Sequence, residues 1–143
     1  MRPPDASTPA TAASAAAPGA APGLLVACLC AGWCTTCAAF RPAFAELARA
    51  HPDVRFAWID IEDQADALET TPGGAPDIEN FPTLLVNTAD GGGFFGTVLP
   101  QTGLVERLLQ QARQGRLPRL AEAGLATVVR TLATLPDCQP DAA

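Results

Sequence analysis

The pentapeptide Trp33-Cys34-Thr35-Thr36-Cys37 constrains this chain more than any other stretch, because two thiols stand at C-x-x-C spacing between an apolar run and a helix-like run. The run before it, Leu24-Leu25-Val26-Ala27-Cys28-Leu29-Cys30, is uncharged and lies between Gly23 and Gly32, which predicts a buried central strand. The run after it, residues 37–50, carries Phe40, Phe44, Leu47 and Ala48 at helical spacing. Cys34 thus falls at a strand-to-helix turn, where unpaired backbone N–H groups and the helix dipole favour an anion such as a thiolate. Cys37, one turn further in, is placed to attack a mixed disulfide formed on Cys34. The spacing points to a redox dithiol with Cys34 and Cys37 as catalytic residues. A Cys34–Cys37 disulfide would be the only redox group, with no separate cofactor.

Composition narrows the partners. A chain of 143 residues makes one domain plus tails, and a folded part of about 115 residues can bury a self-sufficient core. The formal charge of −6, with no lysine, argues against nucleic acid or an anionic membrane as the main partner. Abundant alanine, glycine, proline and arginine, without lysine or tyrosine, suggest a GC-rich bacterial genome. Four of the five cysteines crowd between Cys28 and Cys37, unlike the dispersed cross-links of a secreted scaffold.

Residues 1–23 hold no large apolar side chain after Met1 and are expected to be disordered. They lack the leucine-rich stretch of a secretory signal. Leu25-Val26-Ala27-Cys28 looks like a lipoprotein cleavage box, but cleavage there would remove half of the strand before Cys34. A cytoplasmic location is therefore expected.

Further strands are predicted at Val54–Asp60, Thr83–Asn87 and Phe94–Leu99, the last two paired antiparallel across Gly91-Gly92-Gly93. A short acidic helix is predicted from Glu62 to Thr70 and another helix around Leu104, Val105, Leu108 and Leu109. This order implies an α/β fold with a mixed central sheet flanked by helices. Beyond Arg113, Leu117, Leu120, Leu125, Val128, Leu132 and Leu135 recur at helical spacing. They predict an added amphipathic helix over 115–136, with Pro118 in its first turn and Pro136 as its stop. Residues 24–114 then form the main domain and 137–143 a tail, with Cys138 an exposed free thiol.

The chain resembles the thioredoxin family from about Leu24 to Arg113. The resemblance rests on Ala31-Gly32-Trp33-Cys34-Thr35-Thr36-Cys37, on Pro42, on Ile59-Asp60-Ile61-Glu62 and on Phe81-Pro82-Thr83 entering the next strand. It implies a thioredoxin-like fold and a thiol:disulfide oxidoreductase working through a mixed disulfide on protein disulfide substrates, with a thioredoxin reductase-like protein or glutathione as donor. It also implies that Pro82 is cis and faces the dithiol, and that Trp33, Phe81, Pro82 and Thr83 form the substrate-binding site, Phe81 as a pairing edge.

Departures from the family matter as well. Thr35-Thr36 replace the usual Gly-Pro. The family's buried carboxylate aligns with Cys28 and its neighbouring lysine with Trp58, so no charged group is expected to relay the proton of Cys37. Slow turnover follows, and the alternative function is a protein-binding or chaperone-like module that kept the fold. Asp60 is expected to be an exposed or capping carboxylate, and His51 a helix stop. Cys28 and Cys30 alternate with Leu29, so both face the helix that follows, where free thiols act as small apolar residues. A metal cluster of all four thiols is opposed by strand geometry, since zinc needs sulfur ligands at about 2.3 Å, and no metal site is expected. A lesser variant has Cys28 or Cys30 exchange with Cys37 under oxidation. The added C-terminal helix is expected to cover the sheet surface that the family covers with its N-terminal strand and helix.

Overall fold

The structure, a computed structural model, describes residues 23–141. The disordered tail expected over 1–23 lies outside these residues except for Gly23. Four strands, β1 (Leu25–Cys30), β2 (Arg55–Asp60), β3 (Thr83–Asn87) and β4 (Gly93–Thr97), form a mixed sheet in the order β2-β1-β3-β4. β1 runs parallel to β2 and antiparallel to β3, and β3 pairs antiparallel with β4. β1 is central and every one of its residues is buried. An uncharged strand fits there because both of its faces meet protein.

Alternation along the strands divides the core in two. Val26, Cys28, Cys30, Phe56, Trp58, Leu84 and Val86 face one way, beneath helices α1 (Thr35–Ala50) and α3 (Thr102–Arg113). Leu25, Ala27, Leu29, Ala57, Ile59 and Leu85 face the other, beneath α2 (Ala65–Leu68) and α4 (Ala123–Leu132). α1 buries Cys37, Phe40, Phe44 and Leu47, one stripe at three- and four-residue steps. α4 meets the sheet through Leu125, Ala126, Val129 and Leu132. The mixed sheet flanked by helices is the predicted fold class.

Three local expectations need correction. The acidic helix predicted over 62–70 shrinks to α2, because Asp60 Oδ1 accepts the backbone N–H groups of Glu62 (2.9 Å) and Asp63 (3.2 Å) and holds them in a turn. The added helix begins at Ala123 instead of spanning 115–136. Before it, Gly93 N–H donates to Pro118 C=O and Leu120 N–H to Gly91 C=O, each at 2.8 Å, tying residues 118–120 to the turn end of the β3–β4 hairpin. Leu117 packs on the first core and Leu120 on the second, so the chain passes here from one face of the sheet to the other. A side chain at Gly93 would collide with the Val86 carbonyl, which explains glycine at this crossing.

The third correction concerns the C-terminus. Pro136 opens a 3₁₀ turn, Pro136–Cys138, and Cys138 is buried in the second core. Its thiol is pushed up by burial and then by Asp137 and Asp63, so it is not the exposed thiol expected. Gln139 Nε2 donates to the carbonyls of Ala133 (3.0 Å) and Leu135 (2.8 Å), fastening the tail to the end of α4.

Candidate active site

Cys34 is the N-cap of α1, in extended conformation, with its N–H donating to Ala31 C=O at 3.0 Å. No side-chain bond caps this helix, so the Cys34 thiol is not consumed in capping, and it is half-buried. Cys37 stands on the inward face of the first turn and is 1% exposed. Of the two motif thiols, Cys34 is therefore the outer and Cys37 the inner.

The bonding differs from the expected pair. Cys37 is joined to Cys30, while Cys34 and Cys28 are free. Cys30 ends β1 on the face under α1, and its Cα lies 6.1 Å from that of Cys37, within the usual disulfide range of roughly 4.4–6.8 Å. Of the roles considered for Cys30, the free apolar space-filler is therefore corrected. The bond also takes two of the four thiols that a metal cluster would need.

Behind this bond the environment is uncharged. Cys28 Sγ lies 3.6 Å from Cys30 Sγ, and Cys28 pairs in register with Trp58 of β2. Burial, reinforced by the neighbouring Cys34, pushes the Cys28 thiol far up, so it stays protonated. The two positions where the resemblance places a carboxylate and a lysine thus present a neutral thiol and an indole to the core.

A cleft of about 450 Å³ opens beside the thiols, lined among others by Cys34, Cys37, Arg41, Trp58, Asp60 and Asp137. Arg41 lies one turn beyond Cys37. Its guanidinium stacks over the Trp58 ring at 5.2 Å and donates to the carbonyls of Pro140 (3.2 Å) and Gln139 (3.3 Å). The C-terminal turn is thereby held at one wall of the cleft. Spacing from Cys37 could have flagged Arg41, but no local signal in the sequence brings Asp137 here.

The expected substrate residues divide in two. Trp33 is 67% exposed, its Nε1–H donates to Glu62 Oε2 at 3.3 Å, and its ring meets that of Phe81 edge-on at 5.5 Å. The motif loop and the loop before β3 therefore touch. Phe81 is half-buried and the Phe81–Pro82 peptide bond is cis. Pro82 is fully buried, and Thr83 is 3% exposed with its hydroxyl donating to Asn80 C=O at 2.8 Å. Trp33 and Phe81 offer contact surface, whereas Pro82 and Thr83 are buried behind it. His51 ends α1 as its C-cap, its N–H donating to Leu47 C=O.

No described helix is long and apolar enough to cross a membrane. No curated protein matches the chain. Among solved structures, a thioredoxin from Nicotiana alata is 22% identical with a TM-score of 0.50, the match covering 62% of this chain and 72% of that one. Mitochondrial thioredoxin 3 of Saccharomyces cerevisiae, in its oxidized form, is 25% identical with a TM-score of 0.46, covering 63% and 81%. The first of these bears on the fold alone, and the second carries no further weight. The family model described as Thioredoxin matches residues 20–107, which include the whole sheet and the helix that carries both motif cysteines. Thiol–disulfide oxidoreduction is the general chemistry this supports. By a match over more than half of its length, the chain belongs to the thioredoxin family.

Proposed function

We propose that this protein is a thiol:disulfide oxidoreductase acting on protein disulfides, with Cys34 as nucleophile and Cys37 as resolving thiol. One observation carries the reading: the Cys34 sulfur is free and half-buried at the head of a 16-residue helix, opening on the cleft, with Cys37 in the turn behind it. The Cys34 thiolate attacks one sulfur of a substrate disulfide, and the other sulfur leaves as a thiolate. Cys37 then attacks the Cys34 sulfur of the mixed disulfide, releasing the second substrate thiol and closing the Cys34–Cys37 bond. A dithiol donor, or glutathione, returns the pair to the reduced state. Trp33 and Phe81 hold the substrate chain, over the buried Pro82 and Thr83 that fix the loop before β3. With Cys28 and Trp58 behind the pair, the proton of Cys37 leaves through the cleft, which makes resolution slow.

The test is multiple-turnover reduction of a model protein disulfide with glutathione as donor. Wild type turns over, Cys34→Ser does not, and Cys37→Ser mixed with the substrate in the absence of glutathione accumulates a covalent mixed disulfide. Wild type no faster than Cys34→Ser would sink the reading. A second reading, a binding module on the same fold, is favoured by the exposure of Trp33. It is the outcome if partner binding survives Cys34→Ser and is lost with Trp33→Ala.

A further inference from the structure

Cys37 has two sulfur partners within reach. Cys34 stands one helical turn away at the mouth of the cleft, and Cys30 is bonded to Cys37 from the strand behind. The two partners differ in access: Cys30 and Cys37 are each 1% exposed, whereas Cys34 is half-buried. A bond between the outer pair includes the half-buried Cys34, while one between the inner pair joins two residues that are each 1% exposed and meets the cleft only at Cys37.

We propose, resting on the oxidoreductase reading above, that Cys30 is a second resolving thiol that draws the disulfide inward from Cys34–Cys37 to Cys30–Cys37 after each oxidation. Cys30 gives up its proton and its sulfur bonds to Cys37 Sγ. The Cys34–Cys37 bond breaks with its electron pair remaining on Cys34, which takes up a proton. The step is an isomerisation with no net electron transfer, so the substrate disulfide that closed the first bond is the only oxidant required. Cys28 supports the exchange without entering it. It stays a thiol, 3.6 Å from Cys30, and its S–H donates to the Cys30 sulfur as negative charge develops there.

Two consequences follow. The oxidised protein hides its disulfide from bulky external thiols, because exchange depends on access to the attacked sulfur. It also keeps a free nucleophile at the cleft. Cys34 can then attack a further disulfide, forming a mixed disulfide while the leaving sulfur departs as a thiolate. Cys37, engaged with Cys30, cannot resolve that species, so the oxidised form becomes a covalent trap.

The full chain is oxidised with substrate disulfide, its free thiols are alkylated in acid, and the bonds are mapped by mass after chymotryptic cleavage. Cleavage at Leu29 and Trp33 separates Cys30 from both Cys34 and Cys37. A Cys30–Cys37 bond then links two peptides, whereas a Cys34–Cys37 bond stays within one. The expected result is the linked pair, with the alkyl group on Cys34. Oxidised wild type should also take up one glutathione on Cys34 from glutathione disulfide, and oxidised Cys30→Ala none. A wild type that turns over yet rests as Cys34–Cys37, with Cys30 alkylated, overturns the exchange and leaves the oxidoreductase reading standing. A wild type that does not turn over removes both.

Discussion

Beneath α1 and α3 most of the core's rings and sulfur gather among aliphatic side chains, whereas beneath α2 and α4 the core is mainly aliphatic. On the first face Phe44 meets Phe56 and Trp58 edge-on, with centroids 5.3 and 5.5 Å away, and Phe40 at a tilt at 6.0 Å, and Cys28, Cys30 and Cys37 lie in the same core. On the second, Leu25, Leu29, Ile59 and Leu85 meet Leu125, Val129 and Leu132. The first face must hold a nucleophile-bearing helix at a fixed distance from a strand, and large rings with few torsions do that well. The second face needs only to be covered, and branched aliphatic residues on a late helix suffice. Each cover is latched by an arginine in the last turn of its helix: Arg113 of α3 on Asp53, and Arg130 of α4 on Asn87.

Removing the second cover should have the largest effect. A chain ending at Gln114 loses Leu120, Leu125, Val129 and Leu132 and bares half of the sheet. At roughly 1.5–3 kcal/mol for each buried side chain, the loss is comparable with a whole domain's usual stability of about 5–15 kcal/mol. No cooperative thermal transition is expected, and a truncated protein that melts at the wild-type temperature would break the comparison. Single cavities sharpen it next. Phe44→Ala and Leu125→Ala should cost about 3–5 and about 2–5 kcal/mol in denaturant unfolding. Only Phe44→Ala should also change the alkylation rate of Cys34, because Phe44 backs the helix that carries it. Equal changes from both variants would mean that the faces are not independent.

The latches should differ in the same sense. Arg130 reaches the side chain and carbonyl of Asn87 and the carbonyl of Gly23. Arg130→Ala should therefore cost about 1–3 kcal/mol by urea midpoint, leaving partly buried acceptors unpaired. Arg113 and Asp53 are more open, and Arg113→Ala should cost under about 1 kcal/mol. The smallest effect is its pH dependence. The hydrogen bond from Arg113 lowers the Asp53 carboxyl below its ordinary value, so the pair's contribution is present above the usual carboxylate range of about 4 and is lost as pH falls through the lowered value. The stability gap between wild type and Asp53→Asn should shrink from pH 7 to pH 3. A gap that widens on acidification would refute this assignment.

Much of the frame was legible because it is local. β3 occupies Thr83–Asn87 as its apolar run predicts, and β1 and α1 begin and end within two residues of their patterns. The inward place of Cys37 follows from its position in the motif. The C-terminal region was harder for a specific reason. Leu117 and Leu120 fit the helical period of the residues after them, yet they pack on opposite faces of the sheet. Spacing reports that a side chain is apolar and not which core receives it. Cys138 follows a helix stop and reads as tail, but the 3₁₀ turn folds it back under the sheet.

The sequence by itself determined the strand–dithiol–helix unit, the alternation that sends Cys28 and Cys30 toward α1, and the β3–β4 pairing that a short turn enforces. These depend on neighbours within a few residues, where sterics and hydrogen bonding leave few options. Only the tertiary structure decided that Cys37 bonds Cys30, that Arg41 fastens the C-terminal turn beside the cleft, and that Leu117 and Leu120 pack on opposite faces of the sheet. Those contacts join segments that periodicity treats separately, and they are set by which surfaces remain to be buried once the sheet has formed.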